Sequence, residues 1–198
     1  MQGFKVGVVG AGQIVTHKHI PAFTKLKDVE VVAVCDKNNS VARAVAEQFG
    51  IRSSHSVLHE MLKEELDIVD ICTPPQTHSS LAIEAMEAGC HILAEKPLAM
   101  SVGEVDELIR VANREHVRLC ALHQNLFNPA VQQARHLVES GVIGDLISVD
   151  VGTFNRRDDY MLKNSNHWCH TLPGGAFFEL LPHPIYLLQI FLRGIGQI

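Results

Sequence analysis

The chain has no CxxC pair, and its five cysteines are odd in number and widely spaced. That excludes a zinc ribbon and the disulfide framework of a small secreted domain. Cys35, Cys72, Cys90 and Cys120 fall in or beside apolar runs and are expected as buried thiols in a reducing compartment. Basic charge is not in surplus: 17 Lys and Arg face 22 Asp and Glu, for a net charge of −5. Nucleic acid is thereby excluded as the main partner, because phosphate binding needs a concentrated basic face. No apolar run approaches the ~20 residues of a membrane span, and the start, MQGFKVGV, lacks the pattern of a signal peptide. With 46% hydrophobic and 20% charged residues, the composition is that of a soluble, cytoplasmic globular protein without a membrane partner. The twelve histidines suggest metal only in passing. His17 and His19, His55 and His59, and His167 and His170 around Cys169 each lack a third ligand at a recognisable spacing. Of the first two pairs only His55 and His59, four apart, have the spacing to share a helical face, and His167 and His170 lie on an irregular segment. No metal site is expected, and these side chains read as solvated or capping.

What is present is concentrated near the start. Lys5 to Val9 is a short apolar run with the β-branched bias of a buried parallel strand. It ends in Gly10-Ala11-Gly12, followed by a helix-like segment, a second apolar run from Val29 to Cys35, and Asp36. That order is the dinucleotide-binding arrangement: a tight glycine turn, a helix N-terminus facing a pyrophosphate, and a carboxylate for the ribose hydroxyls. The third small residue of the pattern is replaced by Val15, so the first helix should stand off the sheet or start rotated. A carboxylate at Asp36 repels the 2′-phosphate of the phosphorylated cofactor, whereas Lys37 partly offsets that repulsion. NAD is the expected cofactor, with NADP tolerated.

The alternation continues. Residues 40–49 read as a helix capped by Ser40 and ended by Gly50, 51–53 as a brief strand, and 57–65 as a helix. Leu66 to Cys72 reads as a buried strand broken at Thr73-Pro74-Pro75, residues 77–88 as a helix, and Cys90 to Ala94 as a strand closing on Glu95-Lys96-Pro97. Ser101 and Glu104 form a capping box for a helix whose Val105, Leu108, Ile109 and Ala112 share one face. Val117 to Leu122 is a sixth strand. This predicts an α/β fold, a doubly wound parallel Rossmann sheet over residues 1–122. Beyond it the pattern changes: a helix over 129–140, an alternating strand from Leu146 to Phe154, an irregular polar stretch, and an apolar helix after Gly174-Gly175 that Pro182 and Pro184 must kink or restart. One strand makes no stable sheet, so 123–198 reads as the front part of a second domain.

Ligands of open parallel sheets gather at the carboxyl ends of the strands. Three loops there carry unusual residues: Thr73-Pro74-Pro75 with His78, Glu95-Lys96-Pro97, and His123-Gln124-Asn125. A lysine ending an apolar strand sits where a nicotinamide ring would lie. Oxidising an alcohol requires a base for the hydroxyl proton, and the positive charge of oxidised nicotinamide favours the neutral amine. A surface lysine at a proline turn is the plain alternative. Glu179 and His183, four apart, share a face if their segment is helical; a surface ion pair is the alternative there.

These motifs resemble the Gfo/Idh/MocA oxidoreductases (glucose–fructose oxidoreductase, inositol dehydrogenase and relatives). The resemblance runs through VGVVGAGQI at 6–14, CD at 35–36, TPPQTH at 73–78, AGCHILAEKPLA at 88–99, ESGVIGDLISV at 139–149 and GGAFFELLPH at 174–183. It implies cofactor contacts from Gly10, Gly12, Gln13, Ile14, Asp36, Lys37, Thr73, Pro74, His78, Glu95, Lys96 and Asn125. It also implies catalytic roles for Lys96, which assists proton transfer, for His183 as acid/base, and for Glu179 as its partner or an acceptor from a substrate hydroxyl. The family's late motif is an acid, a histidine four residues on, and an acid three further; Tyr186 stands in the last place, which leaves the substrate open. The resemblance further implies a carboxy-terminal α/β domain with an open, mostly antiparallel sheet, here incomplete, and a homo-oligomer at full length. Such proteins exceed 300 residues, so this chain reads as truncated.

Two functions compete on these residues. One is an NAD(P)-dependent dehydrogenase acting on a secondary alcohol of a sugar, inositol or related polyol. The other is a non-catalytic dinucleotide-binding protein, a redox sensor or remnant. A DNA-binding regulator has only the patch around His17-Lys18-His19 in its favour.

Overall fold

The computed structural model describes residues 3–152 and 162–192. The chain divides into two compact units, one ending at Leu122 and the other beginning at His123. In the first, β1 (Phe4–Val9), β2 (Val29–Cys35), β3 (Ser53–His55), β4 (Ile68–Ile71), β5 (His91–Ala94) and β6 (Leu119–Ala121) form one sheet in the order β3-β2-β1-β4-β5-β6. Every pairing is parallel. This strand order is that of the doubly wound dinucleotide fold, and the point where it reverses lies beside β1. The α/β expectation for this unit holds.

The helices cover both faces because the strands are apolar on both. On one face Val6, Val8 and Val34 pack with Val15, Ile20, Ala42 and Val45. On the other, Val9, Ala33, Val69, Ile71 and Ile92 pack with Met61, Met86, Leu108 and Val111. Gly7 leaves room for that packing: a Cβ there would lie 2.4 Å from the Leu66 side chain and 2.9 Å from that of Met61, so both would have to shift.

Local differences from the sequence expectations have local causes. The helix after the glycine turn is wound as a π-helix over Val15–His19 before α1 (Ile20–Phe23). The wider winding accommodates a fully buried valine where a small residue is usual. Helix α2 (Asn39–Phe49) is capped by Asn38 and not Ser40: the Asn38 side chain accepts from the Ser40 backbone N–H and from its hydroxyl. β3 lies two residues later than expected. His55 is therefore on a strand and His59 in α3 (Leu58–Met61), so the pair never shares a helical face. A 3-10 turn, Leu62–Glu64, completes what reads as one helix in sequence. Helices α4 (His78–Glu87) and α5 (Val102–Arg114) follow the expected course, but on α5 Ile109 is 50% exposed and Val111 takes its place in the core. Cys120 is exposed on edge strand β6, unlike buried Cys35 and Cys90.

The second unit holds α6 (Pro129–Glu139), α7 (Gly175–Leu180) and α8 (Pro182–Phe191). The two prolines do restart the helix: Pro182 occupies the first turn of α8, where a missing N–H leaves no bond unmade. The strand expected from Leu146 is not formed over 146–152, and Thr153 and Phe154 lie outside the described residues. A strand is held by its ladder, and no partner strand is present among the described residues of this unit.

Candidate active site

The glycine turn is built against β4. Gly10 has φ +94°, and a Cβ there would lie 2.7 Å from the Cys72 carbonyl oxygen, so only glycine fits. Gly12 is different. It is exposed, its φ is ordinary, and a Cβ would meet nothing within 4 Å. The open space lies where the helix beginning at Gln13 presents its first N–H groups, and Gln13 and Ile14 are exposed there too. Asp36, at the end of β2, accepts from Ala11 N–H at 2.9 Å through one oxygen and from Asn38 N–H at 2.9 Å through the other. Its carboxylate is thereby fixed beside the turn, while Lys37 is exposed. A glycine turn open at Gly12, a helix start and a pinned carboxylate fit a dinucleotide.

At the carboxyl ends of β4 and β5 lies a buried charged cluster that the sequence spacing does not show. His19 Nδ1 is 2.8 Å from Asp70 Oδ2, and its Nε2 is 3.1 Å from Glu95 Oε1. Asp70 is fully buried, and its Oδ1 has no hydrogen-bond partner. Burial would push the imidazole down, but the hydrogen bonds and charges of Asp70 and Glu95 outweigh it and raise His19 to about 10. His19 is thus an imidazolium donating from both nitrogens, neither solvated nor a cap. Glu95 shows the converse: burial opposes ionisation, yet His19 holds its carboxyl below the usual range. Cys72 Sγ lies 3.3 Å from His19 Nδ1 and 3.5 Å from Asp70 Oδ2. Burial and the adjacent carboxylates keep its thiol protonated, well above the ordinary value. The His19, Asp70 and Cys72 donor atoms all lie within 4.8 Å of one another, as a metal site requires. In this arrangement the protonated His19 supplies the positive charge between the two carboxylates.

Lys96 follows directly and is only 8% exposed. Its backbone N–H donates to Glu95 Oε2 at 3.1 Å, and its peptide to Pro97 is cis. Buried His78, at the start of α4, bridges this loop to the preceding one: Nδ1 is 2.9 Å from the Pro97 carbonyl and Nε2 2.7 Å from that of Thr73. Burial drives its imidazole below the ordinary value. Thr73 also accepts at its hydroxyl from Thr77 at 2.7 Å, and Pro74 is exposed beside it. His78 thus lies between the Thr73 and Lys96 loops, and its neutral ring donates to one of the two carbonyls.

In the second unit Asn125, His183 and Tyr186 come together. His183 Nδ1 lies 2.8 Å from the Tyr186 hydroxyl, which accepts from Asn125 N–H at 3.4 Å; Asn125 Nδ2 is 3.5 Å from the same ring nitrogen. The Tyr186 ring, 3% exposed, stacks on His123 with centroids 4.4 Å apart. Glu179 ends up on α7 and His183 on α8, with the helix broken at Leu181 between them. Tyr186, the residue that departs from the expected acid, meets the imidazole. Its position three residues after His183 on a helix is the signal that it faces the ring.

The family model described as "Oxidoreductase family, NAD-binding Rossmann fold" matches residues 4–123, and the one described as "GFO/IDH/MocA C-terminal domain" matches 131–196. The chain belongs to the Gfo/Idh/MocA oxidoreductase family, and its first unit is that family's NAD-binding fold. Among its relatives is D-glucoside 3-dehydrogenase of Escherichia coli, 34% identical over 72% of this chain and 41% of the relative. Another is dTDP-3,4-didehydro-2,6-dideoxy-alpha-D-glucose 3-reductase of Streptomyces violaceoruber, 28% identical over 97% of this chain and 55% of that one. The WlbA dehydrogenase of Chromobacterium violaceum, solved with NADH and UDP-GlcNAcA, superposes with a TM-score of 0.85 at 28% identity, covering 97% of this chain and 56% of that one. The chain spans about half the length of the curated relatives it matches.

Proposed function

We propose that this chain belongs to an NAD(P)-dependent dehydrogenase that oxidises a secondary alcohol of a sugar, inositol or related polyol, or reduces the corresponding ketone. The observation that carries this reading is Lys96, a largely buried lysine at the carboxyl end of β5 in an NAD-binding fold. Bound nicotinamide supplies the hydride acceptor. The chain's own residues supply the rest. Gly10, Gly12, Gln13 and Ile14 receive the pyrophosphate, and Asp36 takes the ribose hydroxyls, which favours NAD over NADP; Lys37 lies beside it. Thr73, Pro74, His78, Glu95 and Asn125 complete the cofactor contacts. Lys96 accepts the hydroxyl proton as the carbon–hydrogen bond breaks. His183 acts as acid/base, with Glu179 accepting from a substrate hydroxyl. The relatives named above act on glycosides and nucleotide-linked sugars, which supports this substrate class, but the fold does not choose among its members.

A non-catalytic dinucleotide-binding protein is the second reading, since the glycine turn and the pinned Asp36 could hold a dinucleotide without any proton transfer. Turnover separates the two. A screen of sugars and polyols, followed by reduced-nicotinamide absorbance on the natural full-length polypeptide, is expected to yield a substrate. In Lys96→Ala, turnover should then fall by about 10²–10⁴-fold, with NAD affinity held within a few fold by calorimetry. A loss below about tenfold would return Lys96 to a structural role.

A further inference from the structure

We propose that His19 is a positioning residue for Lys96: anchored on Asp70, its ring holds the Glu95 carboxylate where that carboxylate fixes the lysine's backbone. The contacts form an unbroken series. Asp70 Oδ2 meets His19 Nδ1 at 2.8 Å, His19 Nε2 meets Glu95 Oε1 at 3.1 Å, and Glu95 Oε2 accepts from Lys96 N–H at 3.1 Å.

Three features make this a strut and not a chance cluster. Its fixed end is secure, because Asp70 is fully buried in β4, which is paired on one side with β1 and on the other with β5. Its middle member is the right species. An imidazole donating from both nitrogens ties two carboxylates that would otherwise repel each other, whereas a neutral ring, with one N–H, ties only one. Its far end is the amide of the lysine itself. His19 also belongs to the winding that follows Gly10-Ala11-Gly12, so the cofactor turn and Lys96 are braced by the same side chain. A displaced reacting group loses rate steeply, which is why a residue that touches neither cofactor nor substrate can matter for turnover.

This inference rests on the reading of Lys96 as the proton-transferring group, and the experiment separates the two. His19→Phe keeps a ring and removes both N–H groups; Glu95→Gln keeps the His19–Asp70 pair. Both variants and their combination are made in the full-length polypeptide. Each single change should lower kcat by about tenfold or more with KM within about threefold; in His19→Phe the NAD dissociation constant should also stay within about threefold, and the double variant should lose no more kcat than the poorer single one, because the residues act in series. Losses that multiply in the double variant, or unchanged kcat in the singles, overturn the proposal. If His19→Phe does not fold, Glu95→Gln decides alone: unchanged kcat overturns it. If the unmodified protein shows no turnover, the functional reading fails, and amide exchange still tests the strut. Protection at Lys96 should then drop about tenfold in Glu95→Gln while β4 amides keep theirs; unchanged protection at Lys96 overturns the proposal.

Discussion

At the residue scale, the two glycines of the first turn do different work. Gly10 adopts φ +94° and lies against the Cys72 carbonyl, so Gly10→Ala introduces both backbone strain and a clash. It should lower the thermal midpoint and abolish NAD binding together. Gly12→Ala meets no protein atom within 4 Å, so it should unfold at the unmodified temperature yet bind NAD at least about tenfold more weakly, because the added methyl stands in the way of the pyrophosphate. Calorimetry and thermal unfolding on the same samples check this; equal affinity in Gly12→Ala would place the cofactor elsewhere. His19 gives a pH signature. Its folded-state value, about 10, lies above its ordinary 6.5, so its contribution to stability is complete below pH 6.5 and is lost as pH rises toward 10. The thiols of Cys35 and Cys90, raised to about 11 from 9.0, add a loss of the same sign only above about pH 9. The thermal midpoint should therefore decline between pH 6.5 and 9, and His19→Phe should flatten that slope.

At the element scale, helix starts test the local reading. Ser101 accepts from Glu104 N–H at 3.2 Å, while the Glu104 carboxylate reaches back to Met100 N–H at 3.0 Å, one residue beyond the usual reciprocal partner. Ser101→Ala should cost about 1 kcal/mol by denaturant unfolding and leave NAD affinity unchanged. This cap was legible because its partners lie three residues apart. So were the apolar strands and the glycine turn, whose signals are also local. The cluster beneath Lys96 was not: His19, Asp70 and Glu95 are brought together by β1, β4 and β5 pairing across more than 50 residues. The available hint was Asp70, a carboxylate inside the apolar run LDIVDIC that a buried strand would tolerate only with a partner. Likewise, the spacing of Glu179 and His183 suggests one helical face, but Pro182 begins a new helix between them. The strand expected from Leu146 is not formed over its described part, 146–152, for a different reason: alternation describes a face, whereas a ladder needs a neighbour.

At the scale of the whole molecule, the second unit exposes large apolar side chains, among them Phe127 at 79%, Ile147 at 96% and Phe177 at 68%. Apolar surface of this kind favours association. The 198-residue chain should therefore show a weight-average mass that rises with concentration by light scattering. Ile147→Lys combined with Phe177→Glu should shift it toward a single chain. A sample that stays monomeric across the micromolar range without those changes would contradict the expectation.

The strand order also sets a schedule. β1 is made first but sits in mid-sheet: Val6 pairs with Val31 on one side and with Ile68 on the other. Between those two partners the ribosome adds a further 37 residues, which takes about 2–7 s at ~5–20 residues per second. For that interval the emerging polypeptide holds a half-built sheet whose central strand, carrying Val6, Val8 and Val9, has one open edge. A slow stretch of codons before Ile68 would lengthen the exposure, and a fast one would shorten it. The tempo of synthesis thus becomes a determinant of how much of this protein reaches the folded state.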